Sequence, residues 1–270
     1  MLLSKLKKKE YYLLSRKKKT AGRNNRGRIT VAHQGGGHKQ LYRNISFEGN
    51  FSSGIVTNFE YDPNRTAFLA KICFLKNNKK SFYYVLAPQN LQILDPLYNT
   101  TTDTKKIINP EDITSTKYIG SCYFLSELAV GDSIYNIELT PTKGSQLVRA
   151  GGTFAIILQK TEDFILVKMP SGELRKIPSQ CKAFLGALAN DTHNKVIWKK
   201  AGKSRWLNIR PTVRGVAKNP IDHPHGGNTS GGCHPVTPWA KLTKGKPTRS
   251  KKKQNPLIVK FANKNKISKN

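Results

Sequence analysis

AFLAKICFLKNNKKSFYYVLA, residues 67–87, consists of two apolar runs joined by a polar pivot. The runs AFLAKICFL (67–75) and SFYYVLA (81–87) are short and rich in Phe, Tyr, Ile and Val. Such residues fit a pleated, half-buried surface. KNNKK (76–80) supplies two asparagines, which tolerate positive φ, so the spacing predicts an antiparallel hairpin.

The same grammar extends in both directions. GIVTNF (54–59) precedes the hairpin, and SIYNIEL (133–139), TFAIILQK (153–160), FILVKM (164–169) and ELRKI (173–177) follow it. TED (161–163) and PSG (170–172) read as turns between them. No segment carries a long, capped apolar period of 3.6 residues, and CKAFLGALAN (181–190) is expected to make a short helical turn at most. Many short strands at this spacing predict a mostly β fold of small barrels. Pro96 to Gly120, rich in Thr, Asp, Asn and Pro, reads as a long surface loop, and a domain boundary is expected near Gly131.

The charge balance is extreme: 47 Lys and Arg against 16 Asp and Glu, a net of +31. It is also segregated. Residues 1–43 carry a net of +12, residues 44–191 only +1, and residues 192–270 a net of +18. This layout predicts a near-neutral folded body with two basic arms. A polyanion is the natural partner, and nucleic acid the commonest, because each cation placed on a phosphate releases counterions. A membrane surface fits less well, and no stretch approaches the 18 apolar residues a span requires.

Four widely separated cysteines (73, 122, 181 and 233), with no C-x-x-C, argue against a zinc ribbon and fit a reducing compartment. The opening MLLSKLKKKEYYLLSRKKKT is read as a basic arm in preference to a cleaved targeting segment, since its apolar runs are too short for a secretory signal.

Three stretches carry candidate chemistry. GRNNRGRITVAHQGGGHKQLYR (22–43) sets Arg23, Arg26, Arg28, Lys39 and Arg43 among glycines, His33, His38 and Tyr42. Glycines admit a close phosphate, the cations fork onto its oxygens, and Tyr or His stacks on unpaired bases. The alternative is a flexible basic linker. KKAGKSRWLNIRPTVRGVAKNP (199–220) places Lys203, Arg205, Arg210, Arg214 and Lys218 around Trp206, a combination suited to RNA. Its bland alternative is an indole tucked back onto a barrel.

The third stretch, NPIDHPHGGNTSGGCHPVTPW (219–239), concentrates three of the six histidines with Cys233. His223, His225, Cys233 and His234 offer enough ligand types for zinc, but H-x-H-x7-C-H is not a usual zinc spacing. Asp222 beside His223 invites a general-base reading, yet adjacent residues point apart and no nucleophile is evident, so an enzyme is not expected. A binding loop, with imidazoles held by Pro and Gly turns and facing RNA, is the preferred reading. A free-standing zinc-dependent nucleic-acid-binding or processing protein using 223–234 is the alternative.

GRITV…HQGGGHK.LYR (27–43), YDPNRTA (61–67), YVLAP (84–88), NIELTP.KG.QLVRAGGT (136–153), PSGELRKI (170–177) and C.A.LG...N (181–190) form an ordered series. KAGKSRWL..RPTVRGVA.NPIDHPHGG (200–227) and HPVTPW...TKGKPTR (234–249) complete it. In these motifs the chain resembles the universal large-subunit ribosomal protein two family, over roughly residues 22–250. The resemblance implies a basic N-terminal arm (1–43), an OB-like RNA-binding barrel (44–130), an SH3-like barrel (131–198) and an extended basic tail (199–270). It implies a non-enzymatic structural constituent of the large ribosomal subunit. The partners it implies are large-subunit rRNA, neighbouring large-subunit proteins and a small-subunit contact near the interface.

On this reading Trp239, Lys244, Lys246 and Arg249 join the rRNA-binding set named above, with His225. His223 supports the peptidyl-transferase region, where RNA carries the chemistry. No cofactor is implied beyond Mg2+ or K+ bound jointly with rRNA. The chain departs from the family pattern at Lys218, where Met is usual, and at GGNTSGG, which lacks the usual glutamate. The N-terminal arm is shorter than the bacterial form and the 96–120 loop longer. With 35 Lys against 12 Arg and frequent Asn, these features point to an organelle-encoded version. The mitochondrial ribosome is favoured over a plastid or bacterial setting.

Overall fold

The computed structural model describes residues 11–47, 53–76, 79–99, 118–227, 233–245 and 255–261. The chain divides into two compact units: residues 1–17, 40–197 and 256–270 form one, residues 18–39 and 198–255 the other. The first unit holds nearly all the strands and both apolar cores.

The strands, in chain order, begin with β1 (Leu14–Arg16), β2 (Leu41–Arg43), β3 (Gly54–Glu60), β4 (Leu69–Lys76), β5 (Lys79–Leu86) and β6 (Pro96–Leu97). There follow β7 (Cys122–Phe124), β8 (Ser133–Tyr135), β9 (Ile137–Glu138), β10 (Ser145–Leu147), β11 (Ala155–Lys160) and β12 (Phe164–Lys168). The series ends with β13 (Leu174–Pro178), β14 (Lys182–Leu185) and β15 (Ile258–Lys260). The fold is mostly β.

The opening hairpin is β4–β5, antiparallel from Leu69↔Leu86 to Lys76↔Lys79. Asn77 and Asn78, at its turn, lie outside the described residues. The hairpin belongs to the four-stranded sheet β5-β4-β3-β6. Tyr83, Tyr84, Val85 and Leu86 are buried in succession, so this strand is covered on both faces. Its free edge is closed by Tyr12, whose hydroxyl accepts from the Phe82 amide (3.0 Å) and donates to the Phe82 carbonyl (2.9 Å).

The second sheet runs β15-β13-β12-β11-β8-β14-β7. Its core gathers Leu125, Leu128, Ile134, Ile137, Ile157, Ile165, Val167 and Ile177. Tyr135 and Phe184, from this sheet, pack with Leu69, Ile72 and Leu86 in the first core, their rings 5.5 Å apart. Backbone bonds reinforce the join, with the Ala189 amide donating to Ala87 (3.0 Å) and the Gln89 amide to Ala187 (2.8 Å). Burial pushes the Cys122 and Cys181 thiols up to about 12, as expected of inert core residues.

Several expectations are corrected here. CKAFLGALAN does not make a helical turn: it supplies β14, which pairs with β7 through Ala183↔Tyr123 and with β8 through Phe184↔Tyr135. Local Ala and Leu favour helix, but pairing on both sides and burial of Ala183 and Phe184 override that preference. SIYNIEL is two strands, because Asn136 adopts φ +49 and breaks the run.

The terminal arms are also less continuous than charge suggested. Leu13 is buried in the first core, and β1 pairs with β2 through Ser15↔Tyr42. At the far end β15 returns to β13, Arg175 opposite Ile258, so the 199–270 tail is not extended throughout. The 96–120 loop begins as structure: β6 pairs with β3, and Asn99 bridges to Cys122. Its centre, residues 100–117, lies outside the described residues. Among the described residues no helix is long and apolar enough to cross a membrane.

Phe184→Ala should lower the unfolding free energy by about 3–5 kcal/mol, because a fully buried ring shared with the first core leaves a cavity. Equilibrium denaturation read on the barrels' aromatic signal measures this.

Candidate nucleic-acid interface

The second unit is built from the two basic stretches. Its first part, 18–39, holds an Asn-centred turn in which Asn24 Oδ1 accepts from the amides of Arg26 and Arg28, both 3.0 Å. This leaves the Arg26 and Arg28 side chains exposed. Arg23 is tied locally, its Nη1 donating to the Ala21 carbonyl at 2.7 Å.

The stretch 33–38 then pairs with 206–211. Gln34 bridges Ile209 in antiparallel sense. The Gly35 amide donates to Asn208 (3.1 Å), the His38 amide to Trp206 (3.0 Å) and the Arg210 amide to His33 (2.9 Å). His33 Nδ1 lies 3.1 Å from the Pro211 carbonyl and His38 Nδ1 2.7 Å from the Lys39 carbonyl. The Lys19 ammonium donates to the carbonyls of Gly36 and His38. These links were not legible in the sequence, which presents the two stretches as independent arms.

A five-residue helix, α1 (Gly202–Trp206), carries Lys203, Arg205 and Trp206. Trp206 is 55% exposed, with the Lys200 ammonium 4.7 Å from its ring centroid. The indole is therefore not buried within its own unit. Arg205 Nη1 donates to the Ile209 carbonyl (3.1 Å), while Arg210 and Arg214 are exposed.

The loop 214–227 is a tight knot around His223. The Asp222 and His223 amides donate to Asn219, the Gly226 amide to His223 and the Gly227 amide to Lys218. His223 is 8% exposed, and its Nδ1 accepts from the His225 amide at 3.0 Å. The ring lies against Gly215, where a Cβ would come within 2.7 Å of Nδ1. The reading of the loop's imidazoles as RNA-facing is thus corrected for His223: it is an internal strut, while Asp222 is exposed. Burial, then the neighbouring His225 and Lys218, hold its pKa below the ordinary histidine value.

The His225 ring sits 4.7 Å from that of His223 and reaches the next loop. Its Nε2 lies 3.1 Å from the His234 carbonyl and 3.3 Å from the Val236 amide nitrogen, so one tautomer donates and the other accepts. Val236 bridges Leu242, and the Thr237 amide donates to Lys241 (2.8 Å), forming a small turn that presents Trp239 at 79% exposure. Lys244 is exposed nearby in sequence; Lys246, Arg249 and the NTS segment at 228–230 lie outside the described residues.

With His223 and His225 committed to backbone groups, the zinc alternative gains no support. Among the described residues no three His, Cys, Asp or Glu side chains gather as a metal-binding group.

Two of the expected rRNA residues fall outside the second unit. Tyr42 and Arg43 lie on β2 in the first unit, and Arg43 Nε donates to Glu60 at 2.7 Å. Glu60 also accepts from the Tyr84 hydroxyl at 2.8 Å, so Arg43 is tied to the first sheet. Lys39 and Lys218 are placed at the ends of the clasped stretch and the knot, Lys39 exposed and Lys218 half-buried.

Residues 10–99 match the family model "Ribosomal Proteins L2, RNA binding N-terminal domain", and residues 118–240 match "Ribosomal Proteins L2, C-terminal domain". A relative in Wolbachia sp. subsp. Drosophila simulans (strain wRi), "Large ribosomal subunit protein uL2", is 46% identical over 93% of this chain and 88% of its own. The chain belongs to the ribosomal protein L2 family. "Large ribosomal subunit protein uL2m" of Reclinomonas americana is 48% identical over 91% of this chain and 85% of its own. The uL2 of Orientia tsutsugamushi (strain Ikeda) is 46% identical over 91% and 86%. The L2 family thus accounts for the paired β cores, OB-like then SH3-like, and for the basic unit beside them in sequence.

Two measurements test the knot. Gly215→Ala should raise hydrogen exchange at the His225 amide while leaving barrel amides unchanged, because the added methyl displaces the His223 ring. For pH, the folded His223 value is depressed below its unfolded value of 6.5. Its contribution is therefore fully present above pH 6.5 and is lost as pH falls through the lower folded value. Exchange at 223–227 should accelerate over that acid range and become pH-flat, after correction for intrinsic rates, in His223→Asn.

Proposed function

We propose that this protein is a structural constituent of the large ribosomal subunit that binds large-subunit rRNA, without enzymatic chemistry of its own. The observation that carries this reading is the second unit. Exposed Arg26, Arg28, Arg210 and Arg214 share it with exposed Trp206 and Trp239, in a chain of the L2 family. Guanidinium groups neutralise phosphates while indoles stack on unpaired bases. The relatives in Wolbachia and Reclinomonas carry large-subunit names, which supports the same setting here.

In this reading the rRNA-facing set is Arg23, Arg26, Arg28, His38, Lys39, Lys203, Arg205, Trp206, Arg210, Arg214, Lys218, Trp239 and Lys244, with Lys246 and Arg249. His33 and His225 act by holding backbone, and His223 supports the peptidyl-transferase region by shaping the 214–227 knot. Contact with neighbouring large-subunit proteins and with the small subunit near the interface belongs to the same proposal. The pairing of β7 with β14 supports a division between the barrels before Tyr118 instead of at 130/131. The Lys-rich composition and the Reclinomonas relative support the mitochondrial ribosome as the site of action.

The protein should co-sediment with large subunits at moderate salt; recovery only in free, low-mass fractions would overturn the proposal. On large-subunit rRNA, Trp206→Ala should cost about 1–3 kcal/mol of binding with an unchanged salt slope. Arg26→Ala or Arg28→Ala should instead reduce the slope of log K against log salt by about 0.7–0.9 each. Binding titrations across a salt series separate the two.

A further inference from the structure

We infer that residues 33–38 and 206–211 form a clasp that makes the two basic stretches a single rRNA-binding element, and that the clasp closes in response to a polyanion. The inference rests on the rRNA reading above and adds a dependence between parts that the reading treats separately.

The geometry gives the coupling. Three backbone amide bonds, two of them making the Gln34–Ile209 bridge, join segments lying far apart in sequence, and their carbonyl partners belong to Trp206, Asn208 and His33. Trp206 and Arg210 are thereby placed by the N-terminal segment, while His33 and His38 are placed by the C-terminal one. Neither side can take this arrangement without the other.

The fit is close at Gly37. Its φ is +76, and a Cβ there would lie 2.7 Å from the Asn208 nitrogen and 2.8 Å from the Trp206 oxygen. Both obstacles are backbone and cannot swing aside. Gly36 provides the matched case: φ is +68, yet a Cβ would meet nothing within 4 Å. An alanine at either position carries the same left-handed strain, but only at Gly37 does it force the segments apart.

Charge gives the condition for closure. Residues 18–39 carry six basic residues and no acid; residues 198–255 carry fourteen and only Asp222. Bringing them together concentrates like charge, and what joins them is backbone amide bonds and the His33 Nδ1–Pro211 contact, with no ion pair among the described residues. The Lys19 ammonium bonded to the Gly36 and His38 carbonyls brings a further cation onto the clasp. Phosphates lying along the element remove the repulsion and favour the closed form, coupling order to binding.

The test uses the full chain with large-subunit rRNA, in wild type, Gly36→Ala and Gly37→Ala. Amide hydrogen exchange is followed at 33–38, at 206–211 and in the barrels. In wild type both segments should exchange rapidly at low ionic strength without RNA and gain protection together on rRNA. Gly37→Ala should lose the gain in both segments and bind about tenfold or more weakly, with barrel protection unchanged. Gly36→Ala should stay within about threefold of wild type. Equal affinity and protection in the two variants would overturn the clasp. Protection of both segments before RNA is added would overturn the closure by polyanion. Wild type that does not bind rRNA at all would instead sink the underlying functional reading.

Discussion

A chain with a net charge of +31 must fold without bringing its cations into conflict. The solution is segregation. The segment that builds both β cores is nearly neutral, and its few buried acids are matched to specific donors. Asp62 accepts from Arg65 Nε (2.7 Å) and from the Asn64 amide and side chain. Glu138 accepts from the amides of Gly144 and Lys182. Each carboxylate holds a loop in place, and its donors offset the cost of burying the charge. Most of the surplus of cations is left to the second unit, while both apolar cores lie in the first.

How much of this could be read in advance follows from what a sequence encodes locally. The β4–β5 hairpin was legible because alternation, β-branched and aromatic residues and an Asn-rich pivot agree. β14 was not, because Ala, Leu and Lys in 181–190 favour helix and only the waiting edges of β7 and β8 make it a strand. The site was legible by charge and aromatic content at Arg26, Arg28, Trp206 and Trp239. It was illegible where a residue acts on backbone far away in sequence, as Gly37 and Asn208 do in the clasp. No local pattern announces a partner more than a hundred residues distant.

The histidines of 219–239 illustrate the difference between a residue that touches a ligand and one that shapes what does. His223 has the chemistry of a base and the neighbours of a catalytic pair, yet it is spent on a backbone amide and a glycine face. A neutral imidazole suits that position: it accepts at Nδ1, fills the knot and adds no charge beside Lys218. The exposed side chains beside it in sequence, Ile221 and Asp222, sit on the loop that this internal strut supports.

The discontinuity of the basic unit also sets a timetable. During synthesis residues 33–38 leave the ribosome long before 206–211 exist, separated by about 170 residues. At roughly 5–20 residues per second that interval lasts on the order of 10–30 s. The β4–β5 hairpin, by contrast, can form within microseconds of emerging. Every strand named above except β15 is therefore made while the first half of the basic unit still waits for its partner. A newly made chain passes through a stage in which its most cationic backbone is unpaired. Translation order thus places the pairing of 33–38 with 206–211 after most of the strands have been made.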